Sequence, residues 1–284
     1  MIRVEGLVYV YPGGTRAVDG VSLEIAAGER VAIVGQNGSG KSTLVRHFNG
    51  LLRPTEGVVF VDEIDASTLR VAELAAIVGL AFQDPDRQIF AAKVRAEVAF
   101  GPKNFGLKGT ELDAAVDGAL AAAGLEAEAG TNPYDLGFSR RKLLALASIL
   151  AMRTPVVVLD EPTTGQDSRG VARVEAVVDE LHAAGRTVIA ISHDMAFVAE
   201  TFDRVIVMRA GSIALDGPPA TVFAEDAWQT LASTFLEAPL PARVGARMGV
   251  GSTPTEASLV AALAGRAGGV GGAGGAGGAR ADDA

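Results

Sequence analysis

The chain contains no cysteine. Disulfides, thiol catalysis and thiolate-bound zinc are therefore excluded. Aromatic residues are only 5% of its 284 positions, too few for a surface that stacks bases. Basic residues are outnumbered: 25 Lys and Arg against 34 Asp and Glu leave a formal net charge of -9. A chain of that sign has no general attraction for a phosphate backbone, so no direct nucleic-acid partner is expected. A single nucleotide could still be held locally. No stretch approaches the roughly 18–20 apolar residues of a membrane-spanning helix. Residues 1–10 also lack the basic-then-apolar pattern of a secretory signal. The expectation is a chain soluble on its own, with any membrane role supplied by a partner.

What is present is a hydrophobic fraction of 49%, rich in alanine and valine and sufficient for a substantial core. Short apolar runs predict strands at 21–25, 30–34, 57–61, 78–82, 156–159 and 187–191. Helices are predicted at 41–49 and at 171–184, where Val174, Val177, Val178 and Leu181 share one face and Gly185 is the stop. Strand, helix, strand between 156 and 191 implies a right-handed parallel α/β unit. Residues 84–151 read as a helical subdomain inserted into that core, punctuated by Pro102, Gly106, Gly109, Gly124, Gly130 and Pro133. A hairpin is predicted over 204–208 and 212–215, turning at Ala210 and Gly211. Residues 228–265 have room for two short helices. Residues 267–284, almost wholly glycine and alanine over 268–278, are expected to be disordered.

The chemistry begins at Gly35-Gln36-Asn37-Gly38-Ser39-Gly40-Lys41-Ser42, which fits G-x-x-x-x-G-K-[ST] between a predicted strand and a predicted helix. Glycines let the backbone turn its N–H groups toward a phosphate, and the helix N-terminus adds its dipole. Lys41 offers a charge to the β- and γ-phosphates and Ser42 a hydroxyl to Mg²⁺. Val156-Val157-Val158-Leu159 places Asp160 and Glu161 at the C-terminal end of a buried strand, where open α/β sheets bind ligands. Asp160 is the candidate Mg²⁺ ligand and Glu161 the candidate base for the attacking water.

The order of these motifs resembles the nucleotide-binding domain of ABC ATPases over about residues 1–230. That resemblance implies an α/β fold: a RecA-like P-loop core with an N-terminal antiparallel β subdomain and the helical insertion at 84–151. It implies that Tyr11 stacks on adenine and that Gly35, Asn37, Gly38, Ser39, Gly40, Lys41, Ser42 and Thr43 cradle the ATP phosphates. It implies that Gln83 senses Mg²⁺ with Ser42 and Asp160, and that His193 contacts the γ-phosphate beside Glu161 and Lys41. The resemblance also implies that Thr164-Gly165-Gln166-Asp167, ending at Asp167, is a dimer-contact loop. One element departs from the family. Its signature, Leu-Ser-Gly-Gly-Gln, begins 24 residues before the metal-binding aspartate. Here that position opens Leu136-Gly137-Phe138-Ser139-Arg140, with a helix predicted from Arg141. Phe138 stands where the backbone should approach a phosphate. The family works as sandwiches, each ATP lying between one phosphate loop and the other subunit's signature. A non-identical ATPase partner is therefore expected, with a homodimer as the alternative.

Gln83-Asp84-Pro85-Asp86-Arg87-Gln88-Ile89-Phe90, Glu97-Val98-Ala99-Phe100-Gly101-Pro102 and Asn132-Pro133-Tyr134-Asp135-Leu136 resemble the ATPases of energy-coupling-factor importers. Residues 231–266 resemble their C-terminal extension. The resemblance implies an ATP-hydrolysing motor on the cytoplasmic face of the cell membrane. Its partners would be a transmembrane coupling protein and a substrate-binding membrane component, its cofactors ATP and Mg²⁺, and its cargo a vitamin or transition-metal ion. Other ABC importers or exporters, and non-transport ABC ATPases, are the alternative readings.

Overall fold

A strand that is apolar at every position is stable only where both of its faces are covered. The computed structural model describes residues 1–270 and contains five strands, side by side, whose central positions are all apolar and buried. They are β3 (Arg30–Val34), β6 (Val78–Ala81), β7 (Val156–Asp160), β8 (Thr187–Ile191) and β9 (Arg204–Arg209). With β10 (Ser212–Gly217) they form a six-stranded sheet of order β10-β9-β3-β8-β7-β6. All neighbours pair in parallel except the β9–β10 hairpin. That hairpin turns through Ala210 and Gly211, both at positive φ, as its sequence implied.

The alternation of strand side chains divides the sheet into two faces. Val31, Ile33, Val156, Val158, Ile189, Ile191, Ile206 and Met208 bury into one core. Ala32, Val34, Val157, Leu159, Val188, Ala190, Val205 and Val207 bury into the other. The first core is closed by a four-stranded antiparallel sheet of order β2-β1-β4-β5. Its strands are β1 (Ile2–Val10), β2 (Arg16–Ile25), β4 (Glu56–Val61) and β5 (Ile64–Asp65). Helices α1 (Lys41–Phe48) and α2 (Val71–Ala75) complete that layer through Leu44, Phe48 and Leu74. Strand β2 begins five residues before the predicted start at 21, and β1 had no counterpart in the sequence pattern. Register shifts along the β1–β2 pair break the period-two alternation by which strands are recognised.

The second core is closed by α3 (Val94–Asn104), α4 (Gly109–Ala123), α5 (Phe138–Ala151) and α6 (Ser168–Ala183). Helix α5 starts at Phe138, three residues before the predicted Arg141, so the last part of the signature segment forms its first turn. Helix α7 (Met195–Thr201) follows β8, and α8 (Pro219–Val222) follows β10. Where residues 228–265 were expected to hold two helices, three occur: α9 (Trp228–Ala232), α10 (Leu240–Met248) and α11 (Glu256–Val270). Helix α11 thus runs four residues into the segment expected to be disordered. The rest of that segment, 271–284, lies outside the described residues. Among the described residues no helix is long and apolar enough to cross a membrane.

Candidate functional site

The ends of β3, β7 and β8 lie next to one another in the sheet, and each delivers its following loop to the same edge. After β3 the chain wraps around residues 35–40 and enters α1 at Lys41. Gly40 has φ 102° and its Cα faces the Ala17 carbonyl so closely that a Cβ would collide with it. Only glycine fits there. After β7 come Asp160 and Glu161; after β8 comes His193. Asn37, Gly38, Gly40, Lys41, Ser42, Thr43, Gln83, Asp160, Glu161 and Ile191 line one cleft of about 220 Å³.

The charges in this cleft are close and largely removed from solvent. Lys41 is buried, and its Nζ donates to the carbonyls of Gly35 (2.7 Å) and Gln36 (3.0 Å). Burial lowers its pKa, opposed by the nearby Glu161 and Asp160 carboxylates. Asp160 is 5% exposed. Burial raises its pKa, opposed first by the hydrogen bond that Ser42 Oγ donates to its Oδ1 at 3.4 Å. Glu161 is 6% exposed and sits at φ 53°, a left-handed conformation that a non-glycine residue adopts only under constraint. Its N–H donates to the Ile191 carbonyl (2.9 Å), tying it to β8. Its Oε2 meets His193 Nδ1 at 2.6 Å and accepts from Thr164 Oγ1 at 3.4 Å. The His193 side chain is otherwise exposed.

The adenine-stacking candidate Tyr11 directly follows β1 and reaches the first turn of α1. Its hydroxyl lies 3.1 Å from Thr43 Oγ1, and its ring is edge-on to Tyr9 at 4.9 Å. Ser39 is buried within the loop and its Oγ has no hydrogen-bond partner. Gln83 is exposed at the cleft rim.

The signature segment is elsewhere: none of Leu136, Gly137, Phe138, Ser139 and Arg140 lines the cleft. These residues are fastened to their own chain. Ser139 Oγ lies 2.6 Å from Gln166 Oε1, and Gln166 Nε2 donates to the Ser139 carbonyl at 3.1 Å. Arg140 donates to the Gly124 carbonyl (2.7 Å) and pairs with Glu128. Asp167 accepts from Gly170 N (2.8 Å) as the N-cap of α6. Phe138 is 44% exposed and covers Gly165. That glycine has φ +76°, and a Cβ on it would come within 2.8 Å of the Phe138 ring. Gly165→Ala is therefore expected to destabilise the chain by about 2 kcal/mol or more, from left-handed strain and overpacking together. A second change, Phe138→Ala, should recover only the packing part. Urea unfolding of wild type, Gly165→Ala and the double variant measures this; an unchanged midpoint in Gly165→Ala would contradict it.

One residue escaped the sequence reading. Lys142 is 6% exposed, and its Nζ donates to the carbonyls of Glu161 and, at 3.1 Å, Thr164. Burial pulls its pKa down to about 8, opposed by Glu161 and Asp160. The available signal was a lysine standing directly before the apolar run 143–152 on the inner face of a helix.

A family model described as ABC transporter matches residues 18–164, just over half of the chain. The chain belongs to the ABC transporter family. It is 43% identical, over 88% of its length, to an ABC transporter ATP-binding protein of Caldanaerobacter subterraneus, of which it spans only 43%. It is 40% identical, over 79% of its length, to the energy-coupling factor transporter ATP-binding protein EcfA of Methanocaldococcus jannaschii, of which it spans 81%. Among solved structures, cbiO1 of Clostridium perfringens, part of the ABC transporter complex cbiONQ, aligns with TM-score 0.73 at 37% identity. The alignment covers 87% of this chain and 98% of that one. An ATP-binding cassette in a dimeric post-hydrolysis state bound to ADP and Pi aligns with TM-score 0.72 at 27% identity, covering 77% and 98%. The expected fold, an ABC-type ATPase with an antiparallel β subdomain and helical insertion, is the one observed. This ABC ATPase therefore carries its phosphate loop, Asp160 and Glu161 on one cleft, with His193 in contact with Glu161.

Proposed function

We propose that the chain is the MgATP-hydrolysing motor of a membrane importer of the energy-coupling-factor type, driving uptake of a vitamin or a transition-metal ion. The observation that carries the catalytic half is the Glu161–His193 contact beside Asp160 on the phosphate cleft. The name of the Methanocaldococcus relative and the complex to which cbiO1 belongs support the importer half.

The donor set suits Mg²⁺. Ser42 Oγ and Asp160 Oδ1 are hard oxygen ligands placed side by side, with Gln83 at the rim. Among the described residues no cluster of three or more His, Cys, Asp or Glu could hold a metal by itself. An ion here would complete its shell with phosphate oxygens and water, the usual habit of Mg²⁺. When bound it supplies positive charge to the β- and γ-phosphates. The chain does the rest. Backbone N–H groups of the phosphate loop and the N-terminus of α1 receive the phosphates. Lys41 exchanges its carbonyl acceptors for phosphate oxygens, and Tyr11 stacks on adenine. Glu161 orients a water and takes its proton as the water oxygen bonds to Pγ. The bond from Pγ to the bridging oxygen breaks, and ADP leaves. His193 holds Glu161 and contacts the γ-phosphate.

Coupling to the membrane runs through residues 83–91. Gln88 accepts from Phe82 N and donates to the Ala145 carbonyl and Ser148 Oγ, both at 2.8 Å, fixing this loop on α5. The buried Glu97 carboxylate accepts from the N–H groups of Phe90 (3.0 Å) and Ala91 (2.7 Å). The loop thereby leaves Phe90 and Phe100 exposed, their rings edge to face at 4.6 Å. These rings are the proposed seat of a helix of the transmembrane coupling protein, which works with a substrate-binding membrane component. A seat of this kind supports a position at the cytoplasmic face of the membrane. Phe90→Asp with Phe100→Asp is expected to move the tagged chain from the membrane pellet to the supernatant of cells expressing its partners, with MgATP affinity retained. Wild-type chain absent from the pellet would overturn the importer reading. A double variant that still sediments would place the seat elsewhere.

The sandwich partner is proposed to be a second, non-identical ABC ATPase. The bulk of Phe138 and the bonding of Ser139 to Gln166 support this, because they fill and occupy the segment that should approach the partner's γ-phosphate.

A further inference from the structure

Lys142 is a buried cation that the hydrolytic scheme leaves unused. A lone ammonium is costly to bury, and it persists where its protons have acceptors and its charge has counter-charges. Lys142 has both: two carbonyl acceptors in the segment after β7, and the carboxylates of Asp160 and Glu161 nearby. Its acceptors matter because of where they are. One is the carbonyl of Glu161 itself, the residue held at φ 53°. The same carbonyl also accepts from Thr164 N at 3.3 Å. The other is the carbonyl of Thr164, which begins the loop through Gly165 and Gln166 to α6. Lysine and backbone together close the turn on which the Glu161 carboxylate rides.

The anchor of this clamp is as informative as its target. Lys142 stands on α5, one turn after Phe138, and its Nζ lies 5.8 Å from the centre of the Phe138 ring. Ser139, the residue after Phe138, is bonded to Gln166 of the same loop. The signature segment and the turn carrying Glu161 are thus joined through one buried side chain and one amide.

We propose that Lys142 is a positioning residue: it holds Glu161 in its left-handed conformation, carboxylate toward His193 and the phosphate cleft, and so ties helix α5 to the hydrolytic group. This rests on the role of Glu161 proposed above. A displaced base lowers the rate without touching the groups that bind the phosphates. A misplacement near 1 Å can cost about 100-fold.

The test compares wild type, Lys142→Met, Lys142→Arg and Glu161→Gln in the ATPase dimer that turns over MgATP. Lys142→Met is expected to lower kcat at least about tenfold while KM for ATP moves less than about threefold. Lys142→Arg, which keeps charge and donors, should recover part of the loss. Thermal unfolding of each variant with ATP accompanies the kinetics. A kcat within about twofold of wild type for a folded Lys142→Met would overturn the proposal. So would a loss that Lys142→Arg does not reduce although it folds with wild-type stability. Should Lys142→Met not fold, Lys142→Gln, a polar donor of similar reach, takes its place under the same criteria. Near-normal turnover in Glu161→Gln removes the Glu161 reading instead, and is scored independently of the lysine variants.

Discussion

Glu161→Gln is expected to reduce MgATP turnover by roughly 100- to 10,000-fold, the span associated with a positioned general base, while MgATP stays bound. The substitution preserves shape and the ability to accept from Thr164, so the turn at φ 53° should survive. What it removes is the carboxylate that shares a 2.6 Å contact with His193 Nδ1 and can take a proton from water. The groups proposed to bind the nucleotide, namely the loop N–H donors, Lys41, Ser42 and Asp160, line the same cleft and are untouched. Loss of rate without loss of affinity is therefore the signature of the assigned role. It is read from phosphate release and from nucleotide retained on the desalted protein. Loss of affinity with turnover reduced in proportion would make Glu161 a binding group instead.

The second large effect concerns Leu136-Gly137-Phe138-Ser139-Arg140. Replacing Gly137, Phe138 and Ser139 by Ser, Gly and Gly is expected to raise the turnover of the chain paired with itself by about tenfold or more, the scale of restoring one well-aimed donor to developing phosphate charge. Two physical changes underlie this. The Phe138 ring, 44% exposed over Gly165, no longer stands at the proposed approach to the partner's γ-phosphate. Ser139 no longer bonds Gln166 at 2.6 Å, which frees the first turn of α5. The wild-type chain alone should be slow, and a second ATPase with an intact signature should rescue it.

What could be read from the sequence follows from how local each cause is. Val156-Val157-Val158-Leu159 identified β7 because so short a β-branched run, too short for a helix, suits a strand covered on both faces. The phosphate loop was legible because its glycines, lysine and serine lie within eight consecutive positions, 35–42. The convergence of Asp160 and Glu161 on that loop required that β3, β8 and β7 be neighbours in that order; the strand–helix–strand spacing over 156–191 implied the β7–β8 pair, whereas nothing local marked β3 as the neighbour of β8. Strand β1 and the first half of β2 were not legible, because shifted register hides the alternation. Helix α5 begins at Phe138 rather than 141, since nothing in the local pattern marks Gly137 as its N-cap. Lys142 was missed for a different reason. A lysine beside Arg140 and Arg141 reads as one more surface charge, and only the tertiary fold brings it to the Glu161 and Thr164 carbonyls.

This chain is proposed to hold a competent hydrolytic half-site joined to an impaired signature. MgATP turnover of the purified chain, alone and with a second ATPase carrying an intact signature, tests it most directly. Negligible turnover alone and substantial turnover in the pair are expected, the latter lost with Glu161→Gln in this chain. Brisk turnover by the chain as a homodimer would contradict it, because Phe138 and Ser139 would then be serving a working site.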